Sequence, residues 1–299
     1  MAVLTAQGIS RVAVALLTRQ LVLPRTVTMV PGTEFDGDNG DTITVRVPQP
    51  RAARTQSTRS ADITYDDANE VPVDVTMSHL YNGHLLSDEE AQFDIENFAM
   101  QITKPQVEAV AVGAEDLLAT AMNDLSADLS FANTADPDQT DLVIKLARQA
   151  LSEADVPASD RYLAVAPSIT TRLLDVDKFV RADALGDGPS SALRDAVIGR
   201  IYGFTVVESN GLDTDTAVAY HKSGFAFANY TPKAPRGAND SAATTVGGIG
   251  LRQIFDYIPT KLSDASVVST FAGAAAVADT ESADSLDDFP RSVKIDVAT

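Results

Sequence analysis

The residues with the side-chain types for metal chemistry lie between positions 79 and 90. His79 and His84 precede Asp88, Glu89 and Glu90, and imidazole nitrogens and carboxylates are ligands for zinc or iron. Their spacing does not match HExxH or a comparable ligand motif. We therefore favour the alternative in which His79 belongs to a strand, His84 to a turn and the acidic residues to the start of a helix. No metal site is expected.

Two further stretches contain parts of ion-binding or catalytic motifs. DGDNGD, residues 36–41, has the composition of a calcium loop, but Gly40 and Asp41 are transposed relative to the EF-hand order and Val47 stands where the closing glutamate belongs. HKSG, residues 221–224, is similar to the Lys-Ser-Gly box of serine β-lactamases, yet no serine lies three residues before any lysine. A hairpin turn explains the first stretch, and the second lacks a nucleophile.

Composition excludes most of the remaining chemistry. The chain of 299 residues has no cysteine, which excludes disulfides, thiolate nucleophiles and zinc fingers. VGGIG, residues 246–250, lacks the Lys-Ser/Thr of a phosphate loop, and acidic pairs such as Asp66–Asp67 lie in polar surroundings that do not suit a glycosidase. The sequence therefore predicts no catalytic residues and no cofactor.

Length and composition predict a folded protein. A chain of this size buries roughly three quarters of its unfolded surface, and its 44% apolar and 22% charged residues are ordinary for a globular protein. The longest early apolar run, residues 12–17, is too short to span a membrane and is followed by Thr18 and Arg19 rather than a cleavage site. We expect a soluble protein that is made inside the cell, is not secreted and does not enter a membrane.

Charge is distributed unevenly along the chain. The net charge is −19, yet residues 1–60 contain seven arginines and four acidic residues, a balance of +3 that leaves −22 for the rest. The acidic total gives no reason to expect sequence-independent attraction to nucleic acid. Opposite charges on two parts of one chain favour contacts between copies. Scattered arginines on a solvated acidic surface are the alternative.

The first part of the chain has the pattern of an arm followed by a long hairpin. Residues 1–31 contain a weakly amphipathic segment and end in Pro24 and Pro31, which cannot continue a helix, so we expect an extended arm. Residues 42–47 and 71–77 then alternate apolar and polar side chains, as strands do.

The segment between these strands is polar. Residues 51–70 hold almost no large apolar side chain except Ile63 and Tyr65, so they are predicted to project as an arginine-rich tip. A two-stranded hairpin is marginally stable in water, so it needs support from elsewhere.

Helices and strands alternate in the rest of the chain, which predicts an α+β protein. Ser87 and Glu90 form a capping box that starts one helix. Pro105 suits the first turn of a second helix, which spans about 30 Å up to Asn123. A third helix has an apolar stripe of Leu142, Val143, Leu146, Ala147, Ala150 and Leu151. Later segments are predicted as a strand (161–167), a capped helix (168–180), a loop with a short helix (184–196), strands within 199–212 and 217–229, a linker (231–250), strands (250–277) and an acidic tail with one weak strand, SVKIDVA.

Several of these stretches resemble one family in the same order. GRIYGFTVVESNGL, residues 199–212, resembles a module found late in the major capsid proteins of tailed phages, where a Gly-basic-apolar-x-Gly-Phe strand leads to a Ser-Asn turn. The other similar stretches are GDTITVRVP (the start of the extended loop), RYLAVAPSITTRLL (a strand and helix), AVAYHKSGFAFA (a hairpin strand) and LRQIFDYIPTKLSDASVVSTFAGAAAV (the closing strands). The resemblance covers residues 1–278 and is strongest to podovirus-type coats, which also occur in actinobacterial phages.

The resemblance implies the Hong Kong-ninety-seven-type capsid fold, which encapsulin nanocompartments share. Its parts map onto an N-terminal arm (1–31), an extended loop (32–86), the spine-helix region of the peripheral domain (87–130), the axial domain (131–235), the closing strands of the peripheral domain (236–278) and a C-terminal tail (279–299).

The function implied is structural and not enzymatic. Copies of the chain are expected to assemble as pentamers and hexamers, in the bacterial cytoplasm, into the icosahedral virion shell around double-stranded DNA. An acidic inner wall would hold that DNA without sequence-specific binding. A scaffolding protein, a portal and a decoration protein are the other candidate partners. Arg46, Arg51, Arg54 and Arg59 of the extended loop are expected to meet acidic patches on an adjacent copy, where loop and arm are stabilised.

Two departures from the family pattern limit this expectation. Some relatives join subunits by isopeptide bonds from a lysine in the extended loop, but the first lysine here is Lys104, so no such crosslink is expected. The length leaves room for neither a scaffolding segment nor an inserted domain, which implies a separate scaffolding protein. The alternatives are an encapsulin-type shell with an enzyme cargo and, less favoured, an acidic hydrolase.

Overall fold

The computed structural model describes most of the chain. The described residues are 21–31, 41–48, 70–93, 99–132, 137–176, 199–238, 240–246, 249–279 and 290–298, with eight single positions between 53 and 65. The predicted arm up to residue 20, the Asn39-Gly40 turn and the short helix within 184–196 lie outside these residues.

Fourteen strands and four α-helices make up the described secondary structure. The strands are β1 (Thr28–Pro31), β2 (Thr42–Pro48), β3 (Glu70–Thr76), β4 (Ser78–Ser87), β5 (Ala127–Ala132), β6 (Arg161–Val165), β7 (Arg200–Ile201), β8 (Phe204–Glu208), β9 (Thr216–His221), β10 (Phe225–Tyr230), β11 (Asp240–Val246), β12 (Ile249–Ile258), β13 (Ser263–Ala276) and β14 (Ser292–Ala298). The helices are α1 (Asp88–Phe93), α2 (Lys104–Asn123), α3 (Pro137–Glu153) and α4 (Pro167–Leu174), with a π-helical turn at Ala99–Thr103 and 3-10 turns at Leu23–Arg25 and Lys222–Gly224.

The first sheet has the strand order β1-β10-β13-β12-β11, and β4 pairs with β13 beside it. Helix α2 lies across one face of this sheet. Val107, Val110 and Leu118 of the helix are buried with Leu251 and Val268 of the strands, because its apolar residues recur at helical spacing. Gln106 fixes the contact: its Nε2 donates to the Ser266 carbonyl (2.8 Å) and its Oε1 accepts from the Ser266 hydroxyl (2.9 Å).

The second sheet has the order β5-β14-β9-β6-β8-β7. Its strands β6 and β9 are short and buried along almost their whole length, as expected for strands covered on both faces. Helices α3 and α4 pack on it and form a separate core with residues such as Leu151, Leu163 and Phe204. The chain therefore has two large cores, one around α2 and one around the second sheet.

The predicted hairpin exists, and its base is supported by its own chain. Strands β2 and β3 pair in antiparallel register, with Ile43 opposite Val75 and Val47 opposite Val71. Their apolar face is buried against β1 and β10, and Val75 is fully buried. At Gly273 the hairpin backbone lies so close that an added Cβ would be 2.4 Å from the Thr76 carbonyl oxygen. The expectation that this hairpin needs a neighbouring copy for stability is therefore wrong for β2 and β3.

The end of the predicted arm also packs on the body of the subunit. Leu21, Leu23 and Val27 are buried in the core around α2. The Leu23 amide donates to Glu115 Oε1 at 3.3 Å, and β1 pairs in parallel with β10. Residues 21–31 thus lie on their own subunit instead of reaching away from it as an arm, because burial stabilises the apolar side chains at 21, 23 and 27.

Three smaller expectations need correction. The predicted linker 231–250 contains strand β11, whose small and β-branched residues pair with β12. The weak strand of the tail is β14, a central strand whose Val293, Ile295 and Val297 are buried. On α3 the buried face is rotated relative to the predicted apolar stripe. Ile144 is buried, and Leu142 and Leu146 are exposed, because the second sheet and α4 pack on the other side of the helix.

Two local predictions are confirmed at atomic detail. Ser87 Oγ accepts from the Glu90 amide and Glu90 Oε2 accepts from the Ser87 amide, which is the reciprocal capping box at the start of α1. Pro105 lies in the first turn of α2. In the described part of the chain, no helix is both long and apolar enough to cross a membrane.

Candidate assembly surfaces

The tip of the hairpin is exposed at every described position. Arg59, Ile63 and Tyr65 all face solvent, with Ile63 60% and Tyr65 83% accessible. Tyrosine and arginine are residue types enriched in the centres of protein interfaces, and Ile63 adds exposed apolar surface. The tip therefore has the chemistry of a contact surface rather than that of a core.

The four arginines predicted to contact an adjacent copy do not form one described cluster. Arg46 lies on the outer side of β2, where its guanidinium is 3.6 Å from the Glu70 carboxylate of the same hairpin, with both side chains largely exposed. Such an exposed pair contributes little to stability. Arg59 lies in the tip. Arg51 and Arg54 lie outside the described residues.

One face of the first sheet is only partly covered. The face away from α2 carries the alternate residues of β4 and β13, with His79 opposite Phe271, Tyr81 opposite Ser269 and Leu85 opposite Ala265. The hairpin base covers this face at Phe271 and beyond. Toward the other end Tyr81 is 70% and Leu85 43% accessible. This end, around Tyr81 and Leu85, is called the open sheet face below.

The end of the sheet beside Leu85 is acidic. Asp88, Glu89 and Glu90 form the first turn of α1, directly after β4. Asp264 pairs with Leu86, and Asp256 pairs with Ala265. The Tyr257 hydroxyl donates to Asp88 Oδ2 at 3.1 Å, which holds α1 against the sheet. These five acidic residues are called the acidic end. Asp256 lies on the open sheet face beside Leu85, whereas Asp264, which pairs with the buried Leu86, points to the opposite face.

The histidines of β4 cannot act together on one metal ion. His79 and His84 are five positions apart on the strand, so their side chains point to opposite faces. The His79 ring packs on Phe271 with centroids 4.5 Å apart, and burial and Arg252 lower its pKa. Among the described residues, no three potential metal ligands are grouped.

A cleft of about 380 Å³ opens between the hairpin base and the second sheet. Pro48, Pro157, His221 and Ser223 line it, with the ion pair of Arg291 and Asp279, whose Nη2 and Oδ1 atoms are 2.7 Å apart. His221 Nδ1 accepts from the Ser223 amide (3.2 Å) and is 2.8 Å from its hydroxyl. Both contacts cap the one-turn helix Lys222–Gly224, so this is a local cap and not an activated nucleophile.

The stretch GRIYGFTVVESNGL connects the two cores. Tyr202 and Gly203 have φ of 46° and 91° and form the turn between β7 and β8. The Tyr202 hydroxyl then donates to Asp141 Oδ1 on α3. Lys145 Nζ donates to the other oxygen of Asp141 at 2.6 Å and lies 5.1 Å from the centre of the Tyr202 ring. The buried carboxylate is thus satisfied by two donors from different segments.

The end of this stretch contacts the last residue of α2. Asn123 Nδ2 donates to the Gly211 carbonyl (3.2 Å), and Asn123 Oδ1 accepts from the Asp213 amide (3.2 Å). The Asn123 carbonyl accepts from Lys294 Nζ of β14 at 2.8 Å. Sequence reasoning did not single out Asn123, Asp141 or Lys294. The local signal for Asn123 was a polar residue at the end of a long helix. For Asp141 and Lys294 it was a polar residue within an otherwise apolar pattern.

Comparisons with known proteins agree on the fold. No family model and no curated protein matches the sequence. Among solved structures, a chain from Mycobacterium phage Che8 is 20% identical and superposes with a TM-score of 0.62, covering 92% of this chain and 90% of that one. The capsid of cyanophage P-SCSP1u gives 13% identity, a TM-score of 0.62 and coverage of 93% and 88%.

The capsid of Ralstonia phage GP4 gives 9% identity, a TM-score of 0.60 and coverage of 91% and 86%. These identities are low, but the matches span nearly the whole of both chains. The α+β capsid fold implied by the sequence resemblance is therefore confirmed: this chain has the fold of phage capsid subunits.

Proposed function

We propose that the chain is the major capsid protein of a tailed phage and that it builds the icosahedral shell around the phage DNA. The observation that carries this proposal is the match of more than nine tenths of the chain to capsid structures from two different phages. Its role is structural, and no catalytic function is proposed. Further copies of the chain, arranged as pentamers and hexamers, are its main partners.

The remaining partners follow from the same proposal. A scaffolding protein, a portal and a decoration protein would act with the shell, which assembles in the host cytoplasm. The net charge of −19 supports a container wall that does not bind its double-stranded DNA tightly.

The hairpin tip is proposed to contact the open sheet face and acidic end of an adjacent copy. Arg46, Arg51, Arg54 and Arg59 carry the positive charge of the hairpin, whereas Asp88, Glu89, Glu90, Asp256 and Asp264 carry negative charge at the sheet end. Exposed Ile63 and Tyr65 match exposed Tyr81 and Leu85 in chemistry. Charge complementarity sets orientation, and apolar burial supplies most of the affinity.

Assembly of the purified full chain tests the function. Expressed with the other structural proteins of its phage, the chain is expected to form closed particles of uniform size by electron microscopy and sedimentation. Monomers or small oligomers under every condition would contradict a shell function and favour the hydrolase alternative. Particles that retain a cellular enzyme as cargo would favour the encapsulin alternative.

Variants of the hairpin arginines test the contact separately from the function. Replacing the four hairpin arginines with alanine is expected to impair assembly or lower the salt concentration at which shells dissociate. The matched control replaces four exposed basic residues elsewhere: Arg148, Arg200, Lys233 and Arg236. Arg59→Asp alone should weaken shells, and adding Asp256→Arg, on the open sheet face, should restore them. Normal shells in the quadruple variant would reject this contact while leaving the capsid function in place.

A further inference from the structure

The joint between the two cores contains one lysine that contacts two carboxylates, one through its backbone amide and the other through its ammonium group. Lys294 lies on β14, and its backbone amide donates to Asp128 Oδ2 on β5 at 2.8 Å. Its ammonium donates to the carbonyl of Asn123 at 2.8 Å and lies 3.5 Å from Asp296 Oδ2. The Lys294 side chain is only 10% accessible. With Asp128 and Asp296 both ionised, the cluster has a net charge of −1 in a half-buried site.

This cluster lies where an edge strand meets the rest of its sheet. Strand β5 is the outermost strand of the second sheet and pairs only with β14 in the described structure. The register of that pairing shifts between Lys294 and Ile295, and at this irregularity the Asp128 carboxylate accepts the Lys294 amide. Strand β5 also begins four residues after the end of α2, so it is one of the covalent links between the two cores.

We propose that Asp128 makes this joint sensitive to protons: protonation of Asp128 neutralises the surplus charge and holds β5 more firmly on β14, and ionisation loosens it. The charged groups that face Asp128 are Lys294 and Asp296 of β14, and the end of α2 contributes the neutral Asn123. Helix α3, which also packs on β5, adds no charge to the described cluster.

The direction follows from the environment of the carboxyl group. Burial raises the pKa of Asp128 from 3.8 to about 6, and Asp296 adds to the increase, whereas Lys294 opposes it. When β5 opens, Asp128 meets water and its pKa returns toward the ordinary value. Opening is therefore favoured by ionisation at neutral pH and disfavoured at pH 5.

Hydrogen exchange of the full-length protein, followed by mass spectrometry, tests the proposal. After correction for the intrinsic pH dependence, amides of β5 should exchange about five- to ten-fold more slowly at pH 5.0 than at pH 7.5. Asp128→Asn keeps the acceptor for the Lys294 amide and removes the titration, so its β5 amides should exchange slowly at both pH values. Asp124→Asn, at an exposed carboxylate nearby, is the control and should behave as the wild type.

A second variant covers the case in which Asp128→Asn disturbs folding. Asp296→Asn removes the other carboxylate and keeps an acceptor for the Thr216 hydroxyl, which donates to Asp296 Oδ1 at 2.8 Å. Its pH midpoint for β5 protection should move to lower pH, because Asp128 then has no negative neighbour in the cluster. Equal protection of wild-type β5 at the two pH values, a persistent pH effect in Asp128→Asn or an unmoved midpoint in Asp296→Asn would overturn the proposal.

Discussion

Asn123, the last residue of the long helix α2, donates its side-chain amide to the carbonyl of Gly211 across a separation of 88 residues. Gly211 fits there because it lacks a side chain: an added Cβ would be 2.8 Å from the Cβ of Ala119 and 3.1 Å from Asp116 Oδ1. The Ser-Asn-Gly turn thus ends the connection from the second sheet directly on the helix of the first core.

Replacing Asn123 with alanine should destabilise the chain by about 1–3 kcal/mol, because the Gly211 carbonyl and the Asp213 amide both lose their partner. Denaturant unfolding of the unassembled protein measures this loss. Asn210→Ala, at an exposed position of the same turn, is the control and should change the free energy of unfolding by less than about 0.5 kcal/mol. Equal effects of the two substitutions would contradict the bridging role of Asn123.

Replacing Gly273 with alanine should displace the hairpin base. The new methyl group would lie 2.4 Å from the Thr76 carbonyl oxygen and 3.0 Å from Val75 Cγ1, and overpacking of this kind costs about 1–3 kcal/mol. Hydrogen exchange should accelerate in β2 and β3 more than in β6 or β9. Gly237→Ala, where nothing lies within 4 Å of the added atom, should leave the exchange pattern of the wild type. Unchanged protection of β2 and β3 in Gly273→Ala would show that the hairpin is not seated as described.

Removing the Tyr202 hydroxyl should weaken the contact between the β7–β8 turn and α3. Asp141 has a side chain only 3% accessible, and Tyr202→Phe deprives it of one donor, which costs about 1–3 kcal/mol. Thermal unfolding measures the effect. Tyr65→Phe removes the same hydroxyl from a ring that is 83% accessible, and its melting temperature should equal that of the wild type. A wild-type melting temperature for Tyr202→Phe would rule out an important Asp141 contact.

His221 should make the protein less stable as the pH falls from about 7 toward 5.5. Burial lowers the pKa of His221 below 6.5, and Arg291 and Arg161 contribute to the decrease while Asp160 opposes it. The unfolded chain therefore binds the proton at a higher pH than the folded chain does, and stability declines as the pH drops through this window. His221→Asn retains an acceptor for the Ser223 amide and should show a shallower decline in denaturant titrations at pH 7.5, 6.5 and 5.5. An unaltered slope would exclude His221 as the source.

Local elements were predictable from sequence because their causes lie within a few residues. The capping box of Ser87 and Glu90, Pro105 in the first turn of α2 and the alternation in β2 and β3 each depend on neighbours along the chain. Features that depend on partners far away in the sequence could not be predicted in this way. Leu142 looks like a core residue by spacing, but it is exposed because α3 turns another side to the sheet.

Of the two candidate surfaces, one could be predicted from the sequence and the other could not. An exposed, arginine-bearing tip was expected from its lack of apolar residues, and Arg59 is exposed as predicted. The open sheet face was not foreseeable, because β4, β12 and β13 come from separate parts of the chain and their shared face exists only after pairing.

By itself, the sequence of this protein determined most of its described strands and helices, the separation of positive and negative charge along the chain and, through an ordered set of family-like stretches, its fold. Only the tertiary structure decided that residues 21–31 and the hairpin base pack on their own subunit, that β14 enters the centre of a sheet, and that Lys294 joins Asp128 across 166 residues. Local structure follows from backbone and side-chain preferences over a few residues, whereas these contacts depend on how much apolar surface and charge distant segments bury together.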